Sequence, residues 1–322
     1  MIQPSFLRRQ SANLLQQSPY SPKRLVLLHT VIGLGSFFLT TLINYILNLQ
    51  ISNTGGLAGM ELRSALSTVQ AVLEFIVTVG LPFWNIGLTF AALRWATRQP
   101  AAPGDLLQGF RRFRSVLGHS ILRTGVFLML AAGIINICST IFMLTPFATP
   151  FVERLSPLLE QGASAEALIT DAFFSDFSQE LIPLFVFCAI CFALVAIPLF
   201  YRLRFSDFAL MSGQTCGKAL LKSFAITKGR CLQLLKLDLS FWWYYLLLAL
   251  SILVSYGDVL LPAMGVSLPL SATIASMVFY SLGLVCQGIL LWQSEALRLT
   301  TYCLAYHTLA GTNADTSAQE AI

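Results

Sequence analysis

The sequence predicts an all-α polytopic membrane protein with about six transmembrane helices, joined by interfacial amphipathic helices. Three observations predict it. Six stretches contain no charged residue: 25–49, 75–93, 124–152, 181–201, 239–257 and 259–294. A helix needs about 20 residues to cross roughly 30 Å of hydrocarbon, and each stretch is long enough to do so. The composition is 56% hydrophobic and only 11% charged, with a mean hydropathy of +0.73, far from that of a soluble globular domain. Finally, with the N-terminus inside and six crossings, every one of the 20 Lys and Arg residues except Arg63 and Arg154 falls on the inner side. Short basic loops stay cytoplasmic, so both termini are expected in the cytoplasm.

Taken in order, residues 1–24 form a polar, Ser- and Gln-rich cytoplasmic arm with Pro4, Pro19 and Pro22, expected to be loose until Lys23 and Arg24. The transmembrane domain is expected over 25–310, with inner loops at 97–118 and 202–236, an outer loop at 146–180 and a cytoplasmic tail at 311–322. The first span, about 25–49, is too long for a signal-peptide core and is expected to stay in the mature protein. A glycine-rich turn leads to the second span, about 62–96, where Pro82 removes one helix hydrogen bond. The segment 105–121 repeats Leu106, Phe110, Phe113, Leu117 and Ile121 at helical spacing, with Arg111, Arg112 and Arg114 on other faces. This pattern predicts an interfacial helix on anionic headgroups at the inner face. LLQGF at 106–110 and LLKSF at 220–224 suggest a weak internal repeat, in which one elbow leads into the third span and another into the fifth. In the outer loop, SAEALITDAFFSDF has the form of a capped amphipathic helix from Ser164.

Three spans carry their polar residues on one face. The second has Gln70, Glu74, Thr78, Asn85 and Thr89, the first His29, Ser36, Thr40, Asn44 and Asn48, and the sixth Thr273, Ser276, Tyr280, Gln287, Ser294 and Arg298. Polar groups facing lipid are costly, so these faces are expected to turn inward. They would then form interhelical hydrogen bonds or line a cavity, with His29, Asn44, Gln70, Glu74, Asn85 and Gln287 as the candidate residues. Asp238, beside Lys236 and near several inner-side arginines, reads as an ion pair at headgroup level. Arg94, Arg123, Arg202 and Arg298 each mark the inner end of a span and read as snorkelling residues.

Nothing in the chain spells an enzyme. His29, His119 and His307 are far apart, and there is no HExxH, GxSxG or phosphate-binding glycine loop. No catalytic residue, metal site or cofactor is expected. All seven cysteines lie within spans or on the inner side, which excludes an exported disulfide framework. Cys188 and Cys191 form a CxxC without other ligands and read as packing residues. The basic patches are flanked by hydrophobic spans, so they point to lipid rather than nucleic acid. A membrane-protein partner is a further expectation.

The segment KALLKSFAITKGRCLQLLKLDLSFWWYYLLLAL, from Lys218, resembles the signature of the DUF975 family of bacterial integral membrane proteins. Ser223, Lys228, Gly229, Leu237, Leu239, Ser240, Phe241 and Trp243 carry the match. The tail ALRLTTYCLAYHTL at 296–309 is also similar, although the Pro-Tyr that opens that tail in the family is missing. The resemblance covers roughly 185–310 and implies a multi-pass protein of the bacterial plasma membrane, without an assigned activity. A more distant similarity, to the membrane domain preceding some bacterial glycerophosphodiester phosphodiesterases, implies an accessory or lipid-facing role. The expectation is thus a non-enzymatic accessory or scaffold protein; the alternative is a transporter with a polar cavity between spans one, two and six.

Overall fold

The computed structural model describes residues 3–53, 57–150, 152–153, 156, 171–265 and 272–319. These are helical throughout, with no strand among them. Twelve α-helices are distinguished here: α1 Pro4–Gln16, α2 Pro22–Asn53, α3 Leu57–Ala96, α4 Gln108–Arg111, α5 Phe113–Met143, α6 Asp171–Leu203, α7 Ser206–Met211, α8 Cys216–Thr227, α9 Cys231–Leu239, α10 Trp242–Ser255, α11 Gly257–Ala263 and α12 Ala272–Gln319. Five helical segments are long and apolar enough to cross a membrane, and a sixth joins them if the bent pair α9–α10 counts as one span.

The chain divides into two compact units, one from residues 1–120 and 204–322 and the other from 121–203. In the first, α2, α3 and α12 pack against one another, and α10 packs along α12. His29 lies near Glu295 and Leu34 meets Gly288, so α2 runs antiparallel to α12, and the Trp84 indole N–H of α3 donates to the His29 carbonyl (3.0 Å). The start of α2, the end of α3, the start of α10 and the second half of α12 therefore meet at one end of the unit. Arg8, Lys23, Arg94, Arg204, Arg230 and Arg298 gather there, and it is called the basic end below.

The tightly packed core lies at that end. Leu25, Val26, Leu88, Ala91, Trp95, Leu210, Leu237, Phe241, Tyr302, Ala305 and Tyr306 are all buried. Elsewhere the apolar helices are exposed along much of their length, as lipid-facing helices are. The most apolar window of the segment Ile182–Met211 contains no buried residue at all. In the second unit, Cys138 on α5 lies beside Cys188 and Cys191 on α6, and all three are free thiols.

Several expectations need correction. Residues 3–24 are no loose arm. Leu7, Ser11 and Leu14 of α1 are buried against α12 and α3, and the Thr301 hydroxyl donates to Ser11 Oγ (3.0 Å). Arg8 donates to the Ser240 carbonyl (2.7 Å) and lies over the Phe241 ring. The heptad-like spacing of leucine at 7 and 14 carried this signal beneath a polar composition.

The elbow 105–121 is not one interfacial helix. It consists of a 3₁₀ turn at Pro103–Leu107, the single turn α4, and a break at Arg112, after which α5 runs unbroken from Phe113. Glycines dictate this. A Cβ on Gly87 would strike the Leu106 carbonyl, and one on Gly109 would strike the Phe83 carbonyl. The elbow is thus seated backbone-to-backbone on α3, with Phe83 stacked on Phe110 (5.4 Å) and on Phe113 (4.9 Å). LLQGF therefore lies in a 3₁₀ turn and α4, whereas LLKSF is an ordinary stretch of α8, so the suggested repeat does not extend to structure.

The outer-loop helix expected from Ser164 falls largely outside the described residues. From Asp171 the chain is continuous with α6. The fifth span bends by 67° between α9 and α10, at Ser240–Phe241. Residues 311–319, expected as a tail, continue α12.

Candidate functional site

The polar stripe on α3 does not face the bundle. Glu74, Thr78 and Asn85 are exposed and Gln70 is half-buried; of the five stripe residues only Thr89 is buried. Gln70 donates to Glu74 (3.1 Å) one turn along the same helix. The inward placement expected for Glu74 is therefore wrong, whereas Asn85, though exposed, engages the His29 side chain on α2. The buried face of α3 is formed by Trp84, Leu88, Ala91 and Trp95 instead. Bulky and small apolar residues set that interface, and the polar stripe lies on a different arc. The Asn44 side chain lies outside the described residues. His29 is half-buried, stacked on Trp84 at 5.7 Å and 10°, with Asn85 and Glu295 near its ring. Spans one, two and six do meet at this point.

The hydroxyls on the spans mostly bond within their own helices. Ser36 donates to Gly33 O, Thr40 to Ser36 O, Thr89 to Asn85 O, Ser251 to Leu248 O and Ser294 to Leu290 O. Such bonds to the preceding turn satisfy a buried hydroxyl without another helix or a solute. Neither interhelical bonding nor a wet path was needed to keep these residues in apolar helices.

Sequence reasoning missed the densest polar cluster, which lies at the basic end. Asp238 is buried, and the ion pair expected of it forms with an arginine, Arg204, rather than with Lys236. Its Oδ1 accepts hydrogen bonds from the Tyr302 and Tyr245 hydroxyls, the latter at 3.1 Å, and lies 3.7 Å from Arg204 Nη2. Arg204 covers the Tyr302 ring at 4.1 Å. Arg298, read as a snorkelling residue, instead grips buried Glu295 through two bonds of 2.7 and 3.0 Å and lies over the Tyr244 ring. Arg94 likewise pairs with Asp105 (3.1 Å), whose carboxylate also accepts the Ala102 N–H (2.7 Å). Two acids and two arginines balance in the Asp238–Arg298 cluster, so charge burial there is compensated. Its signals in sequence were Glu295 three residues before Arg298 and the Tyr244–Tyr245 pair, facing each other from two spans.

Arg111, Arg112 and Arg114 are exposed, but Arg112 also donates to the Met211 carbonyl (3.3 Å) and so ties the elbow to α7. Nearby, His119 is buried and its Nε2 lies 3.0 Å from Asp207. The residues that carry the family resemblance have structural duties. Ser223 Oγ accepts the Phe205 N–H (3.2 Å), and Gly229 makes the α8–α9 turn at φ 69°, a conformation open to glycine.

One cavity contains a candidate from the sequence. About 680 Å³ in volume, it is lined by Thr41 of α2, by Ile252 and Ser255 of α10, by Tyr256, by Asp258 and Val259 of α11, and by Ser276, Met277, Tyr280 and Gln287 of α12. Gln287 is the only one of the six proposed cavity residues in it. The cavity lies away from the basic end. Further along α12, Phe241, Tyr244 and Leu290 form a packed cluster before Glu295 and Arg298 are reached. No group of three or more potential metal ligands occurs among the described residues. Compared with known proteins, the chain matches no family model, no curated protein and no solved structure.

Proposed function

We propose that the chain is a non-enzymatic, multi-pass membrane protein acting as an embedded accessory or scaffold. The observation supporting this most directly is how its polar groups are used. Span hydroxyls bond to their own helices, and buried charges pair with each other in a compact cluster at the basic end. A solute path would keep such groups available along its length, whereas a support needs a rigid packed end and apolar faces open to neighbours. The long exposed faces of α5 and α6, with Met129 and Leu194 at 78% and 70% exposure, suit the latter. Exposed Arg111 and Arg114 suit anionic headgroups. The family resemblance over 185–310 agrees with a bacterial plasma-membrane location and with cytoplasmic termini at the basic end.

The cavity at Gln287 favours transport as a second reading. Transport would require the Phe241–Tyr244–Leu290 cluster to open toward the basic end. Proteoliposomes with an entrapped pH dye, made from wild type, Glu74→Gln and Gln287→Ala, test this. The accessory reading expects proton flux equal to that of empty vesicles in all three; flux lost in either variant would overturn it. Photo-crosslinkers at Met129 and Leu194 in cells should yield discrete protein adducts, and adducts to lipid alone would remove the scaffold reading.

A further inference from the structure

Asp258 is the only charged residue between 239 and 294. It sits half-buried at the start of α11, on the wall of the 680 Å³ cavity, and has no cationic partner among the described residues. Its neighbours differ from polar groups elsewhere in the spans. Thr41 and Ser255 donate to their own helices, at Phe37 O and Ser251 O. Ser276, Tyr280 and Gln287 make no hydrogen bond to any described residue, although all three line the cavity. The space thus presents one negative charge, an amide, the hydroxyls of Tyr256, Ser276 and Tyr280, and the rings of the two tyrosines. Its remaining wall, Ile252, Val259 and Met277, is apolar, and Ile252 and Val259 are exposed at the outer surface of the helices.

We propose that this cavity binds the ammonium end of an amphiphile, with Asp258 as counter-ion and the alkyl part leaving across Ile252 and Val259. The chemistry selects that class. An ammonium has three donors and no acceptor, matching the carboxylate and the Ser276 and Tyr280 oxygens, which lie one turn apart on α12. Aromatic faces add cation–π attraction. An anion would meet an unshielded carboxylate, and a neutral polar headgroup would leave Asp258 unpaired. The volume falls within the range of organic-ligand sites and exceeds what a bare ion would fill. The apolar wall gives an attached chain somewhere to go. This site goes beyond the accessory reading, which stands or falls on flux and crosslinking instead.

The ammonium could belong to an aminophospholipid headgroup or to a free long-chain amine, and one experiment separates them. Delipidated full-length protein in detergent is titrated with dodecylamine and with dodecanol, and bound probe is counted by native mass spectrometry. In parallel, protein equilibrated with equal phosphatidylethanolamine and phosphatidylglycerol is analysed for retained lipid. Wild type should prefer dodecylamine to dodecanol by on the order of ten-fold, the sum expected of a half-exposed ion pair and cation–π contacts. Asp258→Asn should lose that preference, and Asp258→Glu should keep most of it. Retention of phosphatidylethanolamine over phosphatidylglycerol, lost in Asp258→Asn, identifies the lipid as source. Dodecylamine preference without it identifies a free amine. Equal binding of both dodecyl probes, or a preference unchanged in a folded Asp258→Asn, overturns the proposal. Should Asp258→Asn elute as aggregate, Ser276→Ala and Tyr280→Phe serve in its place, and must weaken dodecylamine but not dodecanol.

Discussion

Replacing Gly87 by alanine puts the seating of the elbow on α3 to a direct test. The added methyl would fall onto the Leu106 carbonyl, 2.6 Å from its carbon and 2.8 Å from its Cα. Carbon atoms rest at about 3.5–4.0 Å, so the elbow and α3 must separate by roughly 1 Å. Both sides of the contact are backbone, and no side chain can swing away to absorb the change. Overpacking of this kind typically costs about 1–3 kcal/mol. The separation would also pull Phe110 and Phe113 from Phe83. Gly109→Ala makes the reciprocal clash, against Phe83, at 2.7 Å from its carbonyl carbon. Because either substitution alone lifts the elbow, the double variant should cost less than the sum. Gly133→Ala on α5 is the control, with nothing within 4 Å of its added Cβ. Thermal unfolding in detergent, followed by tryptophan fluorescence, should show lower midpoints for Gly87→Ala and Gly109→Ala and none for Gly133→Ala. If Gly87→Ala matches Gly133→Ala, or the two elbow variants add fully, the backbone-to-backbone seating is wrong.

The cluster at the basic end gives a graded series: Tyr302→Phe removes one bond to Asp238 and should cost about 1–3 kcal/mol, and Asp238→Ala should cost more, about 3–5 kcal/mol, by removing the acceptor of both tyrosine hydroxyls and the carboxylate beside Arg204. Chemical unfolding in mixed micelles measures both, and equal losses would show that Asp238 is not the hub. Cys216, half-buried, should react with a membrane-impermeant maleimide only after cells are permeabilised, whereas fully buried Cys303 should react only after unfolding. Labelling of Cys216 in intact cells would place the basic end outside. Arg111→Ala with Arg114→Ala should leave the unfolding midpoint unchanged but reduce phosphatidylglycerol enrichment in co-purified lipid, each arginine contributing about 1 kcal/mol near an anionic surface. Unaltered enrichment would deny them that role.

How much of this was legible in the residues varies with the range of the interaction. Span positions follow from local composition, so each charge-free run overlaps one of α2, α3, α5, α6, α10 and α12, but the helix ends do not follow from it: α3 begins at Leu57 and α12 continues to Gln319, far beyond the runs 75–93 and 259–294. Which face of a span packs is a different matter. The arc of Gln70, Glu74, Thr78 and Asn85 was real, but the neighbours of α3 are chosen by Trp84, Gly87, Leu88 and Trp95. The elbow failed for a related reason: its phenylalanines have helical spacing, but the close approach of Gly109 to α3 is a tertiary demand that periodicity does not encode. Asp238 and Arg298 were seen as charges and misplaced: Tyr302 reaches Asp238, and Tyr244 reaches Arg298, only once α10 and α12 lie side by side, whereas Glu295, one turn before Arg298 on the same helix, was legible and overlooked. Gln287 does line a cavity, but one walled by α2, α10, α11 and α12 rather than by the three spans whose polar stripes pointed to it.

The Thr301–Ser11 bond joins residues 290 positions apart, and the packed end uses α1 and the last third of α12 together. A ribosome making this chain must therefore finish almost all of it before the core can close. Until then α2, α3 and α5 wait in the bilayer as separately inserted helices, and α1 waits in water with Leu7 and Leu14 uncovered. A transcript cut short before Tyr302 would leave the spans threaded but the keystone missing, and quality-control proteases would meet an intact set of membrane helices with an open end.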